Sequence, residues 1–236
     1  MMPAFEAAIR LQHDRLRERL AAGMPRAGWK ICVNDRRMQG KLGLAGSFTG
    51  FLDGARQLAS GQSWPAQPGS ILGVEPEIAV HFRRAPQQES FGSTWNDQSR
   101  EAMALAIAGI APAIEIVEWQ GAKFDLGSLA ASSSFHAGFV VGELSPLAAV
   151  PAIGEGCPSF RRGDEIIGVP DPELMPGDVV AIAQQVAAFL APFAQRIEAG
   201  DWLLCGACTN PARALPGDEV EADFGVLGSV RVRFGE

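Results

Sequence analysis

Two of the most apolar strand-like stretches in this 236-residue sequence carry glutamates, and that conflict constrains the fold more than any other feature. Ile71 to Phe82 alternates with period two, which places Glu75, Glu77, Ala79 and His81 on one face of a strand. Ala113 to Trp119 reads as a second, buried strand containing Glu115 and Glu118. An unpaired carboxylate is expensive to desolvate, so these side chains either lie on a solvated face or have a partner that offsets burial. The Glu-x-Glu spacing alone favours solvated glutamates. Glu115, in an equally apolar strand, shifts the reading toward a shared cation. Three carboxylates from two strands suit a hard ion such as Mg2+ or Mn2+ and leave about three of six octahedral positions open.

Composition excludes several classes of function. Acidic residues number 27 and basic ones 20, a net charge of −7 with no Lys/Arg block, so a nucleic-acid surface is not expected. At 47% apolar and 20% charged residues the chain has the balance of a folded protein rather than a disordered one. The apolar runs from Ala102 to Val117 and from Phe135 to Gly154 are interrupted by Pro112, Glu115 and Glu143, and neither reads as a bilayer span. Met1 to Leu20 contains Glu6, Asp14 and Glu18 and lacks the apolar core of a leader, so a cytoplasmic location is expected. Four cysteines do not make a disulfide scaffold in a chain of this length. Cys205 and Cys208 form a C-x-x-C without a second pair or nearby histidines, and Asn210-Pro211 follows in place of a helix. Small packing residues at a strand end are the simpler reading.

Periodicity predicts a mixed α+β fold with one sheet-rich core, as a single domain over 1–236 with an N-terminal helical segment at about 4–23. Helices are expected over Phe5 to Ala22, from Asn96 or Asp97 to about Ala108, and from an Asp178 cap to a stop or kink at Pro192. Strands are expected at Trp29 to Val33, Phe139 to Val141 and Trp202 to Cys205, with an irregular region from Gly40 to Gly61. Pro76 implies an edge or a bulge in its strand. Val220, Ala222 and Phe224 alternate with acidic residues and Val230, Val232 and Phe234 with arginines, the pattern of a C-terminal hairpin with a charged outer face.

The ordered strings Gly28-Trp29-Lys30-Ile31, Leu42-Gly43, Gly50-Phe51-Leu52 and Val74-Glu75-Pro76-Glu77-Ile78-Ala79 continue with Pro112-Ala113-Ile114-Glu115-Ile116-Val117, Ala199-Gly200-Asp201, Gly206-Ala207, Pro216-Gly217-Asp218 and Leu227-Gly228-Ser229-Val230. Together they resemble the 2-keto-4-pentenoate hydratase and 4-oxalocrotonate decarboxylase group of the fumarylacetoacetate hydrolase superfamily. The resemblance implies a mixed β-sheet, β-roll core with flanking helices. It implies a lyase of aromatic catabolism, Mg2+ or Mn2+ held by Glu75, Glu77 and Glu115, and a small 2-oxo acid substrate whose enolate the ion stabilises. Lys30 matches the family's active-site lysine, with a proton-transfer or charge-stabilising role, and Thr209 matches a loop near substrate. Relatives commonly form homo-oligomers, and a complex with a related enzyme is a further possibility.

The chain departs from the family after Glu115. Ser132-Ser133 stand where the hydratases carry Asp-Asn, and hydroxyls do not act as a carboxylate base at pH 7. His136 replaces a small polar residue and is a candidate acid or base, since histidine titrates near neutrality. His81 shares the face of Glu77 and is a candidate to orient it, whereas His13 reads as a surface residue. Two alternatives stay open. One is an acylpyruvate-type carbon-carbon hydrolase of the same fold, although the His-Glu pair common in such hydrolases is not apparent in the sequence. The other is a catalytically silent binding or partner homologue.

Overall fold

The computed structural model describes residues 2–235 apart from 66, 68, 87–96, 120, 122 and 149–158; Asn96 and Cys157 therefore lie outside the described residues. Its main sheet runs in the order β2 (Phe48–Asp53), β1 (Arg26–Cys32), β10 (Trp202–Ala207), β5 (Leu72–Phe82), β6 (Ile107–Glu118), β7 (His136–Val141) and β3 (Gln57–Ala59), with β11 (Ala212–Ala214) also on β5. β1 with β10 and β3 with β7 are parallel, and the other pairs are antiparallel, so the sheet is mixed as expected. Its first and last strands are nearly consecutive in sequence, because β2 passes through a short 3-10 turn, Gly54–Arg56, straight into β3. That link rolls the sheet so that its two ends approach each other. A second sheet, in the order β4 (Ser63–Trp64), β13 (Ser229–Phe234), β12 (Glu219–Asp223), β8 (Ser159–Arg162) and β9 (Glu165–Gly168), packs against the roll.

The period-two pattern decides which side chains enter the core. Val74, Ile78 and Val80 of β5 and Ile110, Ile114 and Ile116 of β6 face Phe160, Val220, Val230 and Val232 of the second sheet. α3 (Asp97–Ala106) and α5 (Val179–Leu190) close this core through Met103, Val179 and Val186. The other face of β5 and β6 carries Ala79 and Ala113 into a smaller cluster with Phe139 and Leu204, and there the glutamates lie. α5 begins at an Asp178 cap that accepts from the Val180 and Ala181 amides, and gives way to a 3-10 turn, Ala191–Phe193, at Pro192. The C-terminal hairpin pairs Glu219 with Arg233 and Glu221 with Arg231 across its outer face, as the alternation predicts.

Several expectations need correction. Gly40 to Gly61 is not irregular: it contains the end of α2 (Arg36–Leu42), all of β2 and all of β3; β2 is buried along its whole length and so shows no alternation. α3 stops at Ala106 and β6 begins at Ile107, so Gly109 and Pro112 lie inside a strand. Pro76 sits in the centre of the sheet, and the irregularity lies in the neighbouring strand, where the β10 register shifts between Leu204 and Ala207. His13 is buried, its ring set edge-on against Trp29 and Phe193, and desolvation lowers its pKa to about 4. Its helix, α1 (Pro3–Ala21), lies against α4 (Leu126–Ala131). Gln12 donates to the Ala130 carbonyl at 2.6 Å and Arg15 to Ala131 at 2.9 Å, satisfying carbonyls at the end of α4. Cys205 and Cys208 are buried packing residues of the main core, as read. Among the described residues no helix is long and apolar enough to cross a membrane.

Gly28 fixes the β1–β10 contact. It has φ +117°, and a Cβ there would lie 2.1 Å from the Trp202 carbonyl oxygen. Gly28→Ala is expected to destabilise the protein by more than about 2 kcal/mol, read as a fall in the urea midpoint at unchanged slope. An unaltered midpoint would show that β1 is free to move from β10.

Candidate functional site

Glu75 of β5 and Glu115 of β6 are direct cross-strand partners, and Glu77 sits two pairs further along, opposite Ala113, on the same face. Like charges directly opposite one another destabilise a ladder, so the register itself opposes the fold here. One carboxylate oxygen from each of the three glutamates lies within 4.8 Å of the others, and Glu77 and Glu115 are buried.

The roll supplies the counter-charge. Lys30 is on β1, separated from β6 by β10 and β5, yet curvature brings its Nζ to 2.5 Å from Glu115 Oε1. Burial pushes the ammonium toward its neutral form, but Glu115, aided by Cys32, Glu77 and Glu75, outweighs that, and the lysine pKa rises. Burial likewise opposes ionisation of Glu115, but Lys30 and His136 outweigh it and the pKa falls. Glu75 is raised to about 7 by burial first and Glu115 second, with Lys30 opposing. Glu77 is raised well above the ordinary range by burial and then by Glu115. Its Oε2 accepts the Gly206 N–H at 2.7 Å. Gly206 has φ +105° and lies in the β10 irregularity, so the bulge turns an amide from the ladder toward a carboxylate.

His136 reaches the site from behind. Its Nδ1 is 2.7 Å from Glu115 Oε1, and its Nε2 lies 3.2 Å from the Asp53 N–H. A backbone N–H is a donor only, so Nε2 accepts from it and the neutral ring carries its proton on Nδ1, donating to Glu115. Lys30 and His136 thus both occupy Oε1. Oε2 of Glu115 is buried without a hydrogen-bond partner. An orphaned anionic oxygen beside two further carboxylates fits a hard divalent ion, which would occupy the space between them.

A cavity of about 230 Å³ opens onto this centre. Lys30, Glu75, Glu77 and Thr209 line it together, with Trp119, Phe124 and Phe135 along one wall. The structure therefore unites Lys30, Thr209 and the three glutamates, but leaves His136 out of the cavity, with both ring nitrogens engaged. His81 does not orient Glu77: its ring packs on Trp202, and the Gly206 amide takes that role. Ser132 and Ser133 also face away. Ser132 Oγ donates to the Ser128 carbonyl and accepts the Phe135 N–H, Ser133 Oγ accepts the Phe51 N–H, and both line a separate cavity with Arg15 and Arg19.

Those serines anchor a strained turn. Ser133, Ser134 and Phe135 have φ of 53°, 56° and 63°, three successive left-handed residues without a glycine. Such positions cost roughly 1–3 kcal/mol each and persist only where surrounding contacts enforce them. The turn sets the Phe135 ring in the cavity wall. Sequence reading misses this residue, Trp119, Phe124 and the Gly206 amide; the clustering of aromatic residues between 119 and 135 is the available signal.

No protein-family model matches the chain. A curated 4-oxalocrotonate decarboxylase from a Pseudomonas species is 26% identical over 239 residues, spanning 94% of this chain and 84% of that protein. The structure of 4-oxalocrotonate decarboxylase from Pseudomonas putida G7, complexed with magnesium and adipate, superposes with a TM-score of 0.82 at 20% identity, covering 98% of this chain and 86% of that one. This chain has the fumarylacetoacetate hydrolase fold. Among proteins of that fold this chain is similar to 4-oxalocrotonate decarboxylase, one of the two enzymes whose group the ordered motifs resemble. Fumarylpyruvate hydrolase from Pseudomonas aeruginosa, in complex with Mn2+ and pyruvate, shares the fold more distantly, with a TM-score of 0.56, 15% identity, and coverage of 90% and 91%.

The raised Glu75 pKa has a consequence for stability. The ordinary value is 4.5 and the native value about 7, so between these pH values the native state binds a proton that the unfolded state does not. The contribution of Glu75 to stability therefore falls as pH rises through this window and is lost above it. In metal-free protein, Glu75→Gln is expected to melt above wild type at pH 8 and to converge with it near pH 5. Thermal denaturation with chelator present checks this; a wild type that melts higher at pH 8 contradicts the burial of that charge.

Proposed function

We propose that this chain is a divalent-metal-dependent lyase, a hydratase or decarboxylase, acting on a small 2-oxo acid or its 2-hydroxydienoate enol. The observation that carries the reading is the convergent trio of half-buried Glu75 and buried Glu77 and Glu115, with one oxygen orphaned, at the end of a ligand-sized cavity. The similarity to 4-oxalocrotonate decarboxylase along 94% of the chain supports the reaction class.

Glu75, Glu77 and Glu115 would hold Mg2+ or Mn2+, whose Lewis acidity stabilises negative charge developing on a keto oxygen. Lys30 holds Glu115 in its ionised form and presents a cationic N–H at the cavity, suited to stabilising charge or delivering a proton to a dienolate carbon. Thr209 donates its hydroxyl proton to the Asn210 carbonyl at 2.9 Å, leaving the oxygen to accept from a substrate hydroxyl or from water. His136 acts through Glu115: by occupying Oε1 it leaves Oε2 for the ion. The same reading carries a cytoplasmic location and assembly into a homo-oligomer or a complex with a related enzyme.

The hydrolase alternative gains a His-Glu pair that the sequence did not reveal, since His136 and Glu115 are in contact. That pair has no free nitrogen toward the cavity with which to activate water, because Nε2 is held by the Asp53 amide. The lyase reading stands ahead of it.

Purified protein with Mn2+ is expected to consume a 2-hydroxydienoate or a 2-oxo-3-enedioate, and chelation to abolish turnover reversibly. Glu77→Gln is expected to lower kcat/KM by about 100-fold or more, with weaker Mn2+ binding measured by calorimetry. Turnover that survives complete removal of metal contradicts the proposal, and release of pyruvate with a carboxylic acid from an acylpyruvate would move it to the hydrolase.

A further inference from the structure

The cavity at the glutamate trio has two hydroxyls in its described lining, Ser134 and Thr209, and they differ in what they can still donate. Thr209 gives its proton to the Asn210 carbonyl at 2.9 Å. Ser134 Oγ is buried without a hydrogen-bond partner. Beside it lies the Cys32 thiol, too weak a hydrogen-bonding group to offset the burial of a hydroxyl. Neighbouring donors are committed elsewhere: both amide hydrogens of Asn34 go to the Leu174 and Ala207 carbonyls, each at 2.9 Å, and the Gly206 N–H goes to Glu77.

The chain holds this hydroxyl on a strained backbone. Ser134 has φ 56° and sits between Ser133 at 53° and Phe135 at 63°, a conformation that glycine adopts freely and serine does not. Three hydrogen bonds enforce it. The Ser134 N–H donates to the Leu129 carbonyl at 2.7 Å, Ser132 Oγ accepts the Phe135 N–H at 3.0 Å, and Ser133 Oγ accepts the Phe51 N–H at 3.1 Å. A glycine at 134 would relieve the strain and keep all three, so the shape of the turn does not account for a serine there.

Its place in the cavity is between the charged end and the aromatic wall. Lys30 and Cys32 share a face of β1 by the period of two, so the thiol beside Ser134 lies on the Lys30 side. The next residue, Phe135, turns its ring into the wall with Phe124. An oxo-acid head held at the trio brings anionic oxygens to the charged end. Ionised Glu75 and Glu77 can only accept hydrogen bonds, whereas a hydroxyl donates.

We propose that Ser134 is a substrate-binding residue whose hydroxyl donates a hydrogen bond to an anionic oxygen of the oxo-acid head group. The inference rests on the glutamate trio as the head-group site and adds to it a donor from the left-handed turn.

Calorimetry tests it in two steps, Mn2+ into the protein and then oxalate into the Mn2+-loaded protein, for wild type, Ser134→Ala and Ser134→Gly. The alanine removes the hydroxyl and keeps the strain; the glycine removes both. The expected result in both variants is Mn2+ affinity within about twofold of wild type and oxalate affinity lowered about tenfold. Oxalate affinity unchanged in both overturns the assignment of Ser134 and leaves the head-group reading intact. A loss in Ser134→Ala that Ser134→Gly restores traces the effect to the strained turn and overturns the assignment as well. So does a fall in Mn2+ affinity as large as the fall for oxalate. Oxalate that fails to bind wild-type, Mn2+-loaded protein removes the head-group reading and this inference with it.

Discussion

The repulsion between Glu75 and Glu115 is the interaction around which the rest of the structure is organised. The β5–β6 register sets two carboxylates face to face, with Glu77 two pairs away, on the side of the sheet away from the main core. No local arrangement of hydrophobic residues offsets three such groups. The fold answers with Lys30 from a strand three places along the sheet, with the Gly206 amide released by the β10 irregularity, and with His136 behind Glu115. These still leave Glu115 Oε2 orphaned and Glu75 and Glu77 reluctant to ionise. The residual misfit has the sign and chemistry that a divalent cation would offset.

The roll is what makes this arrangement reachable. In a flat sheet, Lys30 would be about three strand spacings, on the order of 14 Å, from Glu115. Joining β2 directly to β3 curls the sheet, and the hydrogen bonds from Phe51 and Asp53 to Ser133 and His136 tie its two ends. The same ties hold the left-handed turn at 133–135, so the strain there and the aromatic wall have a common origin. Ser132 and Ser133 belong to that scaffold. Their replacement of the Asp-Asn pair removes carboxylate chemistry from a turn that here serves packing and shape.

The glutamate trio was legible in the sequence because charge within an apolar strand is an exception to a strong rule, while Lys30 was singled out only by its match to the ordered motifs, which also gave the trio a context. The hairpin and the α5 cap were legible for a similar reason, since each is encoded within a few residues. β2 and β3 were missed because β2 is buried along its whole length and so shows no alternation, β3 is only three residues long, and partners distant in sequence determine their structure. Pro112 and Gly109 are local breakers overridden by the pairing of β6 on both sides. His13 and His81 were misplaced for want of their ring partners, Trp29, Phe193 and Trp202, and His136 for want of the Asp53 amide. Such partners are set by the roll, which no short window of sequence contains.

Anomalous diffraction from a crystal grown with Mn2+ tests the central claim most directly. The account predicts a single strong peak at coordination distance from one oxygen each of Glu75, Glu77 and Glu115, with Lys30 and His136 on the other oxygen of Glu115. Glutamate side chains turned away from one another, or manganese bound elsewhere with this trio vacant, would contradict it.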